Sequence, residues 1–271
     1  EPMVLGHEIA GVIARLGAGV GGLHVGQTVA VNPSRPCNHC SYCLRGLQMH
    51  CLDMRFYGSA MRFPHVQGGF RQRIVCDAAQ AVPVPDGVSV AEAAFGEPLA
   101  VVVHAVNRAG PLVGAKVLVT GSGPIGVLAA MAARRAGASF IAMTDLADEP
   151  LAVARKVAAD ATINVASDPD GLKRYEADKG AFDVTFEASG NPRALVSALV
   201  ATRPRGVVVQ IGVGGEFTIP MNSVVAKEID IRGTFRFHSE FATAVGYIAQ
   251  RLIDVRPLLT ATVPLKDAVS A

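Results

Sequence analysis

The sequence predicts an α/β chain, a doubly wound parallel sheet joined to a β-rich domain that carries a four-cysteine lobe. Three observations predict it. Short apolar segments alternate with helical ones from Lys116 to Phe235, the pattern of a parallel sheet covered by helices on both faces. A glycine-rich turn, Gly121-Ser122-Gly123-Pro124-Ile125-Gly126, follows the first of those segments and opens a helix. Four of the five cysteines stand between Cys37 and Cys51 as C-x2-C-x2-C-x7-C, within a region of short, glycine-punctuated segments.

Composition bounds the possibilities. A chain of 271 residues has room for one or two cores at roughly 100–200 residues per domain. It is half hydrophobic with a formal charge of +2, which gives no reason to expect nucleic acid or a membrane surface as partner. No apolar run reaches the ~18 residues of a membrane span, and no leader peptide is legible. A cytoplasmic protein acting on a small molecule is the expectation.

Taken in order, the first domain covers residues 1–90. Gly6–Leu16, Gln27–Val31 and Gly69–Val75 read as antiparallel strands, with a turn over Gly17–Gly26 and the cysteine lobe inserted at 33–55. A linking helix over 91–109 opens the second domain, 91–236. Strand Lys116–Thr120 leads through the glycine turn into a helix over Val127–Ala136, closed by Gly137. Strand Phe140–Thr144 ends at Asp145, and a helix over 149–159 precedes strand Ala161–Val165. Strand Phe182–Glu187 runs into Ala188-Ser189-Gly190; a helix over 192–202 precedes strand Val207–Ile211; the last strand is Ile229–Phe235. Residues 237–271 return to the first domain, with a helix over 240–253 and a strand at Ala261–Pro264. No internal repeat is present.

The cysteines invite three explanations. An odd count and four thiols within fifteen residues argue against a disulfide scaffold. Polar neighbours such as Asn38, His39, Ser41 and Arg45 argue against simple burial of free thiols. A four-thiolate shell on one structural zinc accounts for both the spacing and the polar loop, which cannot build a core of its own. His39 and His50 then stand as solvated loop residues.

The glycine turn sits in a Rossmann-type context: strand before, helix after, acid at Asp145,. Gly121, Gly123 and Gly126 allow the tight turn, close approach of pyrophosphate and close helix packing, with Pro124 and Ile125 at the helix start. A carboxylate at Asp145 would accept from a ribose 2′-hydroxyl and repel a 2′-phosphate, so NAD is expected over NADP. Because ligands of such sheets bind at strand carboxyl ends, Ile211, Gly212, Val213 and Phe235 are further candidate cofactor contacts.

The order "GHE", four-cysteine lobe, "GEPLAVVVHAV", "VLVTGSGPIG", "TDLA" resembles the zinc-dependent medium-chain dehydrogenase/reductase family across the chain. "EPL" resembles its polyol dehydrogenase branch, and the stretch from Asn32 through Gln72 is similar to the L-idonate 5-dehydrogenases. The resemblance implies a GroES-like catalytic domain and a second, catalytic zinc. His7 would be a ligand, Glu8 a ligand or its neighbour, and Glu97 a ligand to the zinc or to its water. Arg236, Phe237 and Arg62 would face the substrate, the arginines suiting a sugar-acid carboxylate; Arg55 and Arg62 could equally be solvated surface charges. The implied reaction is hydride transfer from a secondary alcohol of a polyol or sugar acid, such as L-idonate, to NAD, in a dimer or tetramer. Sorbitol, xylitol or threonine dehydrogenation, and a non-catalytic nucleotide-binding relative, are the alternatives. In the family a Cys ligand of the catalytic zinc stands upstream of "GHE". The resemblance therefore implies a fragment of a longer enzyme, with a weaker second zinc site and no turnover alone. His7 and Glu97 are expected within roughly 6 Å of each other, in the cleft beside the nucleotide fold, close enough to share one ion.

Overall fold

The computed structural model describes residues 2–216 and 218–270, and the chain forms two units, Glu1–Ala100 with Arg236–Ala271 and Val101–Phe235. In the first unit, β1 (Ile9–Val12) runs antiparallel to β2 (Thr28–Val31), pairing Ile9 with Val31 and Val12 with Thr28. A two-residue pair, β3 (Ser34–Arg35) and β4 (Arg55–Phe56), closes the base of the cysteine lobe. The third strand of the sheet is β5 (Ala81–Pro83), on the outer edge of β2, where a proline costs no ladder bond. Ile9, Val29 and Val31 form the core here, with Ile13, Tyr57, Ile74 and Cys76 against them.

The strand expected at Gly69–Val75 is not formed. The Gly68, Gly69 and Phe70 amides instead donate to the carbonyls of Val4 (2.7 Å), Gly6 (2.8 Å) and Leu5 (3.0 Å), and the Arg71 amide turns back onto Gly69 at 2.6 Å. That tight turn breaks the extended run, and the segment clamps the residues before His7 rather than extending the sheet. The expected single helix over 91–109 is two. α1 (Val90–Ala94) begins with a Ser89–Glu92 capping box, the arrangement that satisfies two amides at a helix start. The Phe95 amide then donates to the Glu92 carbonyl at 3.1 Å, and α2 (Gly96–Ala109) starts afresh. Burial raises the Glu92 carboxyl, but the Ser89 amide and Arg251 outweigh it and hold the group below its ordinary value.

The second unit is a six-stranded parallel sheet. In chain order it comprises β6 (Lys116–Thr120), α3 (Pro124–Arg135), β7 (Phe140–Asp145), α4 (Asp148–Val157), β8 (Ala161–Asn164), β9 (Phe182–Glu187), α5 (Pro192–Ala201), β10 (Thr202–Gln210), α6 (Met221–Lys227) and β11 (Asp230–Gly233). The spatial order is β11-β10-β9-β6-β7-β8. Succession reverses between β6 and β9, the switch point at which parallel sheets of this kind bind ligands. Leu118, Ala142, Ile163, Leu172, Phe182 and Ala201 pack one core cluster, and Leu195, Leu199, Val208 and Ile229 another. β10 starts five residues before the expected Val207, because Thr202 pairs with Phe182 across a register shift before the ladder resumes at Val207.

Back in the first unit, α7 (Glu240–Ala249) buries Phe241, Ala244, Val245 and Ile248. The strand expected at Ala261–Pro264 is absent; those residues lie exposed, without a ladder partner among the described residues.

Candidate active site

Both candidate metal clusters lie in the first unit. The Cys37, Cys40, Cys43 and Cys51 sulfurs lie within 4.8 Å of one another. Short 3-10 turns at Cys43–Arg45 and Gln48–His50 bring them together. Main-chain amides point at the sulfurs: Cys37 to Cys51 Sγ at 3.1 Å, Cys40 to Cys37 Sγ at 3.3 Å, and Asp53 to Cys51 Sγ at 3.3 Å. The amides of Cys43 and Leu52 bring the Cys40 thiol down to about 6, while burial pushes Cys43 up to about 12. Four sulfurs this close cannot all ionise without a shared cation. Convergent sulfurs already accepting amide hydrogens fit a closed zinc shell.

His7, Glu8 and Glu97 form the second cluster, each offering a ligand atom within 4.8 Å of the others. His7 and Glu8 are carried just ahead of β1, on the segment that Gly68–Phe70 clamps. Gly6 adopts φ +93° there, and a Cβ on Gly68 would sit 2.3 Å from the Leu5 carbonyl oxygen, so only glycine permits this approach. Glu97 lies in the first turn of α2 and is 5% exposed. Burial raises its carboxyl to about 8, the Glu8 charge adds to the rise, and Arg236 opposes it. An imidazole, the Glu8 carboxylate and the Glu97 carboxyl, whose charge burial and Glu8 disfavour, form a donor set that a divalent cation would satisfy.

Phe56 joins this cluster to its surroundings. Its ring centroid is 5.6 Å from that of His7, and the Arg236 guanidinium lies over the same ring, 4.2 Å from the centroid. Arg236 Nη2 also approaches the Met61 sulfur at 2.9 Å. Phe56, Ser59, Met61, Arg62 and Arg236 line a cavity of about 140 Å³, and Arg62 pairs with Asp53. Sequence reasoning missed Phe56, which carries no motif of its own. It also misplaced Phe237. That ring is fully buried and stacks on Phe241 at 5.7 Å, so it packs the core behind Arg236 and presents no surface to a substrate.

In the second unit, Gly121 takes φ +88°, and a Cβ on Gly126 would fall 1.9 Å from the Gly121 carbonyl oxygen, which fixes α3 close against β6. Gly123, the residue before α3, has open space around it, with Pro124 exposed and Ile125 partly so. Asp145 accepts from the Ser122 amide at 2.6 Å and from Leu146 and Ala147 at 2.7 and 3.1 Å. Its carboxylate is thus aimed at the glycine turn before any ligand arrives. Val213 is 97% exposed and Phe235 partly exposed, while Ile211 and Gly212 are half-buried. An open glycine turn at a helix start, with an acid fixed beside it, fits a dinucleotide.

Residues 1–86 match the alcohol dehydrogenase GroES-like domain, and residues 124–250 match the zinc-binding dehydrogenase domain. L-idonate 5-dehydrogenase (NAD(P)(+)) of Escherichia coli K12 is 45% identical over 271 residues, which is 100% of this chain and 78% of that relative. The chain belongs to the zinc-binding dehydrogenase family. A crystal structure of the Escherichia coli L-idonate 5-dehydrogenase superposes with a TM-score of 0.94 at 44% identity, covering 99% of this chain and 77% of that one. A sorbitol dehydrogenase of Arabidopsis thaliana is 35% identical over 96% of this chain and 72% of its own length. As a zinc-binding dehydrogenase the chain is an oxidoreductase that uses zinc and a nicotinamide cofactor. No helix among the described residues is long and apolar enough to cross a membrane.

Proposed function

We propose that this zinc-binding dehydrogenase oxidises a secondary alcohol of a sugar acid, with L-idonate the leading substrate, at the His7–Glu8–Glu97 cluster. The observation that carries the reading is the cavity lined by Arg62 and Arg236, linked to His7 through Phe56. Two guanidiniums beside a metal-type cluster suit a substrate that bears a carboxylate as well as hydroxyls. When bound, zinc supplies a Lewis acid at the alcohol oxygen and the nicotinamide a hydride acceptor. The chain's own residues bind and orient. His7, Glu8 and Glu97 hold the metal. Arg62 and Arg236 turn the anionic end of the substrate toward the cavity wall, and the Ser59 hydroxyl offers a hydrogen bond to a substrate hydroxyl. Cys37, Cys40, Cys43 and Cys51 hold the other zinc, remote from the chemistry in role.

Gly121, Gly123, Pro124, Ile125 and Gly126 would receive the pyrophosphate, and Ile211, Gly212, Val213 and Phe235 would flank the rest of the cofactor. Asp145 would favour NAD over NADP by charge. Asp145→Asn keeps much of the turn and removes that charge, so the NADP/NAD ratio of kcat/KM should rise by about tenfold, the equivalent of ~1.4 kcal/mol; an unchanged ratio would remove Asp145 from the assignment. A cytoplasmic dimer or tetramer completes the reading, supported by exposed Leu44, Leu52, Phe63 and Val75 on the first unit, apolar area that an assembly would cover.

The test is initial rates of the protein expressed from its whole reading frame, with L-idonate, sorbitol and xylitol, before and after chelation. Faster turnover of L-idonate that chelation abolishes is expected. A preference for sorbitol or xylitol would move the substrate to the neutral polyols. Activity indifferent to chelation would overturn the metal assignment.

A further inference from the structure

Among the described residues three glutamates are buried: Glu92, Glu97 and Glu187. Glu92 pairs with Arg251 and Glu97 belongs to the metal-type cluster. Glu187, the last residue of β9, has no exposed surface and no role in anything described so far. A carboxylate is costly to bury, so its surroundings should explain it.

They are donors, all neutral. Oε1 accepts from the Ser189 amide (2.9 Å), the Gly190 amide (3.1 Å), Thr120 Oγ1 (3.3 Å) and the Ser189 hydroxyl. Oε2 accepts from the Gly190 amide (3.0 Å) and from Gln210 Nε2. The same Gln210 nitrogen donates to the Gly212 carbonyl at 2.9 Å. The Glu187 main-chain carbonyl accepts from the Ile211 and Gly212 amides, both at 2.8 Å. Thr120, Glu187 and Gln210 are the last residues of β6, β9 and β10, three adjacent strands. One side chain therefore ties together the carboxyl ends of the strands flanking the point where succession reverses, and with them the turns at 188–190 and 211–213.

The turns leave little slack around it. A Cβ on Gly212 would lie 2.1 Å from the Gly190 nitrogen and 2.9 Å from Glu187 Oε2, and a Cβ on Gly121 would lie 2.9 Å from the Ser189 nitrogen. The glycine turn after β6, the turn after β9 and the turn after β10 interlock around this carboxylate. No neutral side chain replaces it, because a Gln amide would bring its own NH2 against donors already pointing inward.

We infer that Glu187 is a positioning residue for the nicotinamide nucleotide: its carboxylate holds the turns after β9 and β10 in the shape that receives the cofactor. This rests on the cofactor reading above. The experiment measures, in the whole protein, the dissociation constant for NAD by titration, the melting temperature without cofactor, and KM for the alcohol at saturating NAD. Glu187→Gln should weaken NAD binding by about tenfold or more, consistent with loss of charge-assisted hydrogen bonds, and leave the KM for the alcohol close to wild type. Gln210→Met, which keeps the volume and loses the donor, should weaken NAD in the same direction by roughly threefold, and the double variant should be less than additive. Lower melting temperature with unchanged NAD affinity in Glu187→Gln would make the residue merely structural and overturn the inference. Should Glu187→Gln fail to fold, Gln210→Met decides: weaker NAD binding at near-native melting temperature supports the inference, and unchanged binding overturns it. Wild-type protein that binds neither NAD nor NADP would overturn the cofactor reading itself, and this inference with it.

Discussion

The four-cysteine lobe and the His7–Glu8–Glu97 cluster are both sets of converging ligand atoms within 4.8 Å, yet they are built in opposite ways. The lobe draws all its donors from one loop, Cys37 to Cys51, and closes them with local turns and amide-to-sulfur bonds. The second cluster takes two donors from the segment ahead of β1 and one from the start of α2, ninety positions on. The lobe can be assembled by its own loop, whereas the other cluster needs the surrounding fold to bring its donors together. The difference teaches where each site is vulnerable: the first to loss of a ligand, the second to anything that moves the elements carrying it.

The largest effect should come from the lobe. Cys43→Ser removes a buried ligand and with it one zinc per chain. If the loop loses about 4 kcal/mol of metal-linked stability, the melting temperature falls by roughly 8–16 °C. Metal analysis and a melting curve on the purified variant check this, and a normal zinc content with an unshifted melt would break the comparison. Glu97→Gln should do the reverse. Metal affinity and turnover fall by about 10–100-fold, while the melting temperature of the metal-free protein at neutral pH holds or rises, because the wild-type carboxyl, raised to about 8 by burial and by Glu8, must take up a proton to fold there and the amide need not,. A fall in stability equal to that of Cys43→Ser would make Glu97 structural. Smallest is Arg62→Gln. It should raise KM for L-idonate by roughly tenfold relative to sorbitol, about 1.4 kcal/mol for one charge-assisted contact. An equal change for both substrates would show that Arg62 serves only its pair with Asp53.

The two regions were also unequally legible. Cysteine spacing is a local property, so the lobe could be read from the sequence, as could the strand, glycine turn and helix around Gly121–Gly126, where apolar continuity and punctuation agree. Parallel strands such as Lys116–Thr120 and Phe182–Glu187 came out as expected, because buried strands are continuous apolar runs. The antiparallel part was harder. β5 hides beside Pro83 and Pro85, and Gly69–Val75 has the composition of a strand but turns at Arg71. Phe56 and Glu187 carry no motif; one matters through two ring contacts and the other through what surrounds it. A glutamate ending an apolar strand just before a glycine turn was the available signal for Glu187. Phe237 failed the other way, since the resemblance gave it a role that full burial removes.

The clamp on the segment before His7 has a consequence for anyone who maps this protein by random mutagenesis. Gly6, Gly58 and Gly68 crowd one another's backbones, so that a methyl on Gly58 would stand 2.7 Å from the Gly6 oxygen and one on Gly68 would stand 2.3 Å from the Leu5 oxygen. Leu5, next to Gly6, has an exposed side chain that is free to vary. A screen for lost turnover should therefore recover three glycines with no chemistry of their own at the same rate as the proposed ligands His7, Glu8 and Glu97, and pass over the leucine. Read without coordinates, such a hit list would enlarge the active centre by three residues whose only contribution is to be small.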